Sequence, residues 1–216
     1  VPAPAKLRRA SAQRRRAALL AAAAELAAEV GAGAVTHRAV AERAGLPPST
    51  PSYFFASIDE LVTEALRTRA QELAAEIETT EQVAVEVPAV GPSEVIDAVV
   101  ERVLAADATA SGGQVELYLA AGRRQELRPE ASATVGRCIE GAARQFERMD
   151  AVRPDEVAWA ITALGDGAML HRLAGVDVDH RARLAEGMRL LVAAAMLRDE
   201  EIDELLGRYT EPPGRA

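Results

Sequence analysis

Apolar positions recur at helical spacing along most of the chain, and glycines and prolines cut that pattern into segments. In "RRRAALLAAAAELAAEV", Leu19, Ala23, Leu26, Ala27 and Val30 fall on one face, with Glu25 and Glu29 off it. The spacing predicts a helix from about Ser11 to Val30, stopped by the glycines of "GAG". Thr36 is placed to cap a short second helix to Ala44, which Gly45 ends. The compact "LPPSTPSYFF" follows. Ser57 and Glu60 then form a capping box, opening a helix with Leu61, Ala65, Leu66, Leu73 and Ile77 near one face and reaching about Thr80. "VAVEVPAVGPS" alternates like a strand for five residues, but with no partner strand it reads as a connector.

The second half reads as helical throughout. Ser93 caps a helix to about Ala106, "DATASGG" breaks it, and further helices run from Gln114 to Glu126 and from Pro129 to Met149. Pro154 opens a long helix closed by Gly175, and Asp179 caps another to about Leu197, followed by the amphipathic tail "EEIDELLGRY". The helix after Pro154 carries two apolar stripes, one through Val157, Ile161, Leu164 and Ala168, the other through Trp159, Thr162, Asp166, Met169 and Leu173. Leu184, Met188, Leu191, Val192, Ala195 and Met196 line the final long helix. The predicted class is all-α, with no internal repeat and no nucleotide-binding glycine pattern.

Composition supports that class. Hydrophobic residues make up 49%, charged residues 27% and aromatics only 3%, which fits a globular chain of helices packed through small side chains. A single cysteine, Cys138, excludes an intrachain disulfide framework and a cysteine-based zinc site, and fits a reducing cytoplasm. The first helix has the basic start of a secretion signal. Its uninterrupted apolar run, Ala17–Ala24, is too short and amphipathic for one, and no stretch approaches the ~20 apolar residues of a membrane span.

Charge adds an asymmetry. The net charge is −8, yet Val1–Ser57 holds eight Lys/Arg against three acids, a balance of +5, leaving −13 for the remainder. One end is suited to phosphate and the other repels it.

The tight corner near the basic end then acquires a meaning. A helix, a turn containing glycine, and a second helix make the helix-turn-helix geometry, whose second helix enters the DNA major groove. Val40 and Ala41 must be slim where they face the first helix, Gly45 allows the turn, and Leu46 plugs the corner. Helix 1 ending in "EVGAGAVT", followed by "AVAERAGL" and "STPSYFFASIDEL", resembles the DNA-binding domain of the TetR (tetracycline-repressor-like) family over about Arg14 to Leu66. The rest is similar to that family only in being helical and of suitable length.

The resemblance implies three parts: a mobile basic arm (1–10), a three-helix DNA-binding domain (11–57), and a helical bundle for ligand binding and dimerisation (58–216). Thr36, His37, Arg38, Pro48, Ser49, Thr50, Ser52 and Tyr53 are expected at double-stranded DNA. Arg38 is the candidate for a guanine edge, and Thr50 and Tyr53 for phosphates. Phe54 and Phe55 lock the third helix in place. Ser52 stands where the family usually has an aromatic, and Ile58 where a phosphate-reaching lysine is frequent. Pro51 predicts a short recognition helix and hence more reading of DNA shape. The resemblance also implies a homodimer on a palindromic operator. The expected interface is Val157, Ile161, Leu164, Ala168, Leu184, Met188, Leu191, Val192 and Ala195, although both stripes would look the same if buried within one chain. A pocket for an apolar small-molecule effector is implied as well, with Tyr118, Cys138, Phe146, Trp159, Asp166, Met169 and His171 as lining candidates, residue types that also pack routinely in cores.

No cofactor or metal is expected: His171, Asp177, Asp179 and His180 match no compact ligand spacing, and Asp179 is a helix cap. Three scattered histidines offer no nucleophile–base pair, so no enzyme activity is expected. The leading expectation is a cytoplasmic bacterial repressor released by its effector. A DNA-binding regulator without an inducer and a helical interaction scaffold are the alternatives.

Overall fold

The computed structural model describes residues 5–86, 91–105 and 108–210, and among them it contains helices and no strand. The helices are α1 (Ala5–Val30), α2 (His37–Arg43), α3 (Thr50–Phe54), α4 (Ile58–Glu86), α5 (Pro92–Ala105), α6 (Ala108–Arg123), α7 (Arg128–Glu147), α8 (Pro154–Leu173), α9 (His180–Ala195) and α10 (Asp199–Thr210). Short 3₁₀ turns lie at Ala32–Ala34 and Gln125–Leu127. None of the helices is long and apolar enough to cross a membrane.

Three boundaries differ from those read off the sequence. α1 begins at Ala5 rather than Ser11, because no glycine or proline interrupts the basic segment; the arm expected over 1–10 is therefore helical from Ala5, and residues 1–4 lie outside the described ones. α4 continues to Glu86, since the alternating valines after Thr80 lower helix propensity by only tenths of a kcal/mol or so each. Of the expected connector, residues 87–90 lie outside the described ones. α6 begins at Ala108 instead of Gln114, so "ATASGG" of the expected break is helix, while Asp107 lies outside the described residues.

That last difference has a packing cause. α6 lies against α1, and a Cβ on Gly112 would sit 3.0 Å from the Ala28 carbonyl oxygen. Ser111 beside it is buried. Ser111, Gly112 and Gly113 permit a close helix crossing and do not end the helix.

Packing divides the chain into two compact units, and not at the expected boundary after Ser57. The first comprises Val1–Glu76 with Ala106–Thr134, the second Ile77–Ala105 with Val135–Ala216. In the first, Leu19, Leu20 and Ala23 of α1 meet Val40 of α2, Phe55, Leu61 and Leu66 of α4, Leu117 of α6 and Leu127. In the second, α8 packs against α9 and both meet α5. Its core holds Val100, Phe146, Val157, Ala158, Ile161, Leu184, Met188 and Val192. Two termini follow the sequence reading, Asp179 accepting the Ala182 N–H at 2.9 Å and Gly175 (φ 70°) ending α8, whereas Ser93, expected as a cap, lies inside α5, which begins at Pro92.

Gly112→Val is expected to lower stability by about 1–3 kcal/mol, the usual penalty for overpacking. Gly136→Ala in α7, where a Cβ meets nothing within 4 Å, is expected to raise it by up to about 1 kcal/mol. Denaturant midpoints at constant m-value check both signs.

Candidate nucleic-acid interface

The candidate surface is built from its caps outward. Val35 is buried, and the chain then leaves the core in extended form at Thr36 (φ −127°, ψ 152°), whose Oγ1 accepts the Ala39 N–H at 3.2 Å. The resulting helix, α2, is only two turns long. Val40 and Ala41 are fully buried, so Thr36, Arg38 and Glu42 face outward.

α2 ends in a Schellman turn. The Gly45 N–H donates to the Glu42 carbonyl at 3.1 Å and the Leu46 N–H to the Ala41 carbonyl at 2.9 Å, with Gly45 at φ 64°. Leu46 is half-buried against the first core, as expected of a plug. The Thr50 N–H then donates to the Pro47 carbonyl at 2.9 Å and α3 starts. Pro51 falls in its first turn, where a missing N–H leaves no bond unmade. Its ring is buried, which makes it the anchor of α3, and α3 is five residues long, short as expected. The opposite side presents Pro48, Ser49, Ser52 and Tyr53, all exposed, with Thr50 half-buried at the edge.

Tyr53 is 81% exposed and supported edge-on by Phe54 at 5.0 Å between ring centroids. Phe55 is buried beneath the Arg16 guanidinium, 5.2 Å from its ring centroid, and Arg16 is ion-paired with Glu64. The capping box forms at the next helix: the Glu60 N–H donates to Ser57 Oγ at 3.0 Å, while Glu60 Oε2 accepts the N–H of Ala56, one residue before the cap, at 2.6 Å. Ile58 packs, partly buried, against the first core.

The basic residues divide by role. Arg43 lies 3.2 Å from Glu25 and 2.7 Å from Glu29, and these hydrogen bonds hold its pKa above the ordinary arginine value. The Glu29 carboxyl is held below the usual carboxylate range, chiefly by its hydrogen bond to Arg43. Arg38 is exposed and makes no ion pair among the described residues. His37 is half-buried, and its Nε2 is buried with no hydrogen-bond partner among the described residues. All eight expected DNA-facing residues are exposed or half-buried on one short stretch, with Arg38 as its clearest cation.

The residues expected at a dimer interface lie elsewhere. Val157, Ile161, Leu184, Met188, Val192 and Ala195 are buried in the chain's own second core, with Leu164, Ala168 and Leu191 half-buried against it. α5 packs against both α8 and α9 and helps to cover this stripe within the unit. What α8 and α9 leave outside includes Trp159 (63% exposed), Ala163, Leu170, Leu190 and Ala194.

The expected effector residues fall in both units. Tyr118 belongs to the first unit and accepts a hydrogen bond from Gln114 Nε2 at 2.8 Å. Of those in the second unit, Phe146 is core, Trp159 and His171 are exposed, Met169 is buried, and Cys138 and Asp166 are half-buried. A cleft of about 380 Å³ in the first unit, between α1 and α4, is lined by none of the seven. Sequence reasoning also missed Glu116, a buried carboxylate on α6 whose Oε1 accepts the Ala32 N–H at 2.9 Å. Its signal was a lone acid set among the apolar Leu117, Ala120 and Ala121.

Residues 19–65 match the family model described as bacterial regulatory proteins, tetR family, and residues 90–208 the model described as the tetracyclin repressor-like C-terminal domain. Solved structures agree along the chain. A transcriptional regulator of Streptomyces coelicolor A3(2) is 26% identical with a TM-score of 0.63, covering 83% of this chain and 98% of its own. A TetR-family member from Streptomyces coelicolor A3 is 28% identical with a TM-score of 0.61, covering 82% and 97%. The multidrug binding protein EbrR, solved with ethidium, is 28% identical with a TM-score of 0.58, covering 82% and 98%. No curated protein matches the sequence.

Gly45→Ala is expected to destabilise the protein by about 1–2 kcal/mol, the cost of a left-handed residue with a Cβ, measured by denaturant unfolding. The depressed Glu29 pKa stabilises the fold above the ordinary carboxylate pKa, and this contribution is lost as pH falls through the lower folded value. Glu29→Gln is therefore expected to flatten the acid limb of a stability–pH profile and leave its alkaline limb unchanged.

Proposed function

Because the chain belongs to the TetR (tetracycline-repressor-like) family of bacterial transcription regulators, we propose that it is a repressor. In this reading a homodimer binds a palindromic operator and a small organic effector releases it. The observation that carries the reading is the exposed stretch formed by Thr36, Arg38, Pro48, Ser49, Ser52 and Tyr53 around the Gly45 corner. The Arg38 fork suits the O6/N7 edge of guanine. Tyr53 and Thr50 hydroxyls suit phosphate oxygens, which fix register without reading sequence. With five residues in α3 and few long side chains, direct base contacts are few, and the deformability of the operator supplies part of the selectivity.

Dimerisation is assigned to the outer face of the last two long helices. Trp159, Ala163 and Leu170 share one side of α8, and Leu190 and Ala194 one side of α9. Small residues beside large apolar ones suit two-fold packing of helices from two copies. For the effector, EbrR has been solved with proflavin and with ethidium, which supports an organic ligand here as well. Cys138, Asp166 and Met169 of the second unit are the remaining candidates to meet it. Effector binding would act by favouring a state of the dimer whose reading stretches no longer fit the operator.

Selection of bound fragments from genomic DNA, followed by footprinting, is expected to yield a palindrome with half-sites about one helical turn, ~34 Å, apart. No enrichment at low ionic strength would overturn the reading. Arg38→Ala is expected to lose about 1–3 kcal/mol of specific binding with little change on unrelated duplex. Trp159→Arg combined with Leu190→Arg is expected to give monomers in sedimentation equilibrium and to abolish operator binding, whereas a dimer that persists would refute the assigned face.

A further inference from the structure

We infer that Glu116 is a positioning residue for the DNA-reading corner, a role that rests on the DNA-binding reading above. Glu116 is 7% exposed, and one carboxylate oxygen accepts both the Ala32 N–H at 2.9 Å and Arg123 Nη2 at 3.2 Å. Burying a carboxylate is unfavourable unless its hydrogen bonds are made, and here the acceptor is matched to a backbone donor that is itself out of water, Ala32 being 6% exposed. A solvated charge on α6 would have needed no such partner.

The place of that donor gives the bond its consequence. Ala32 opens the 3₁₀ turn directly after α1, and Thr36, the cap of α2, follows four residues later. One turn before Glu116, Gly112 seats α6 against the Ala28 carbonyl, one turn before Ala32. Residues 112 and 116 of α6 therefore hold residues 28 and 32 in step. The packing contact fixes separation and the charged hydrogen bond fixes rotation. Gly31 between them is at φ 81°, and a Cβ there would come to 4.0 Å of Glu116 Oε2. The direction in which the chain leaves α1, and with it the aim of Thr36 and Arg38, is set by a side chain 84 residues away in sequence.

The test compares Glu116→Leu, which keeps volume but removes the acceptor, with Glu116→Gln, whose amide oxygen still accepts from Ala32, in the full-length protein with an operator duplex enriched as above. Expected for E116L is a loss of operator affinity of about tenfold or more, binding to unrelated duplex within about twofold, and Ala32 amide exchange faster by about tenfold or more. E116Q is expected to stay within about threefold of wild type in all three. Should E116L fail to fold, Glu116→Asp keeps the charge but falls a methylene short of Ala32, and the same losses are expected. Leu184→Ala, which thins the other unit's core, is the stability control and is expected to lower Tm without changing the affinity of folded protein. Unchanged operator affinity in a folded E116L or E116D, or no rescue by glutamine, would overturn the inference. A wild-type chain that enriches no duplex would instead overturn the DNA-binding reading itself.

Discussion

Gly45 is the residue on which the exposed stretch from Thr36 to Tyr53 turns. Its left-handed backbone lets two hydrogen bonds close the end of α2, and the chain doubles back within three residues. Without that reversal Val40 and Ala41 would not share a core with Pro51 and Phe55, each buried on the inner side of its element. Full burial of a valine or phenylalanine is worth about 1.5–3 kcal/mol, so the inward set decides the orientation. Arg38, Ser49, Ser52 and Tyr53 face out because helical periodicity leaves them no other direction. The exposed stretch proposed to meet DNA is thus a consequence of what the corner buries.

The positive balance of the N-terminal fifty-seven residues is divided between structure and surface. Arg43 is engaged by two glutamates of α1, and Arg16 by Glu64 and the face of Phe55. Arg38 is exposed and makes no ion pair among the described residues, and Thr36, Ser49, Ser52 and Tyr53 are exposed hydroxyl residues that form hydrogen bonds without adding charge. A surface of this kind relies less on bulk electrostatic attraction than a lysine-rich one, and more on the geometry with which few donors are presented. The held position of Ala32, and through it of α2, matters the more for that reason.

Features set by neighbouring residues were legible in the sequence. The Thr36 and Asp179 caps, the glycine exits at Gly45 and Gly175, and proline in the first turn of α3 each depend on residues within one helical turn, and each was found where its local chemistry put it. Features set by tertiary contact were not. Gly112 and Gly113 carry the same letters whether they break a helix or let one approach Ala28, and only α1 distinguishes the two. Periodicity showed that Leu184, Met188 and Val192 must be covered, but not that α5 and α8 cover them, leaving Trp159 and Leu190 outside. Glu116 could be seen as misplaced on an apolar face, while its partner, 84 residues distant, could not.

The claim at the centre is that the stretch from Thr36 to Tyr53 is where this chain meets DNA. Amide hydrogen exchange of the full-length protein, with and without the enriched duplex, tests it directly. Slowed exchange concentrated between Val35 and Ala56 is the expected result. Exchange in that segment unchanged while another face becomes protected would contradict it.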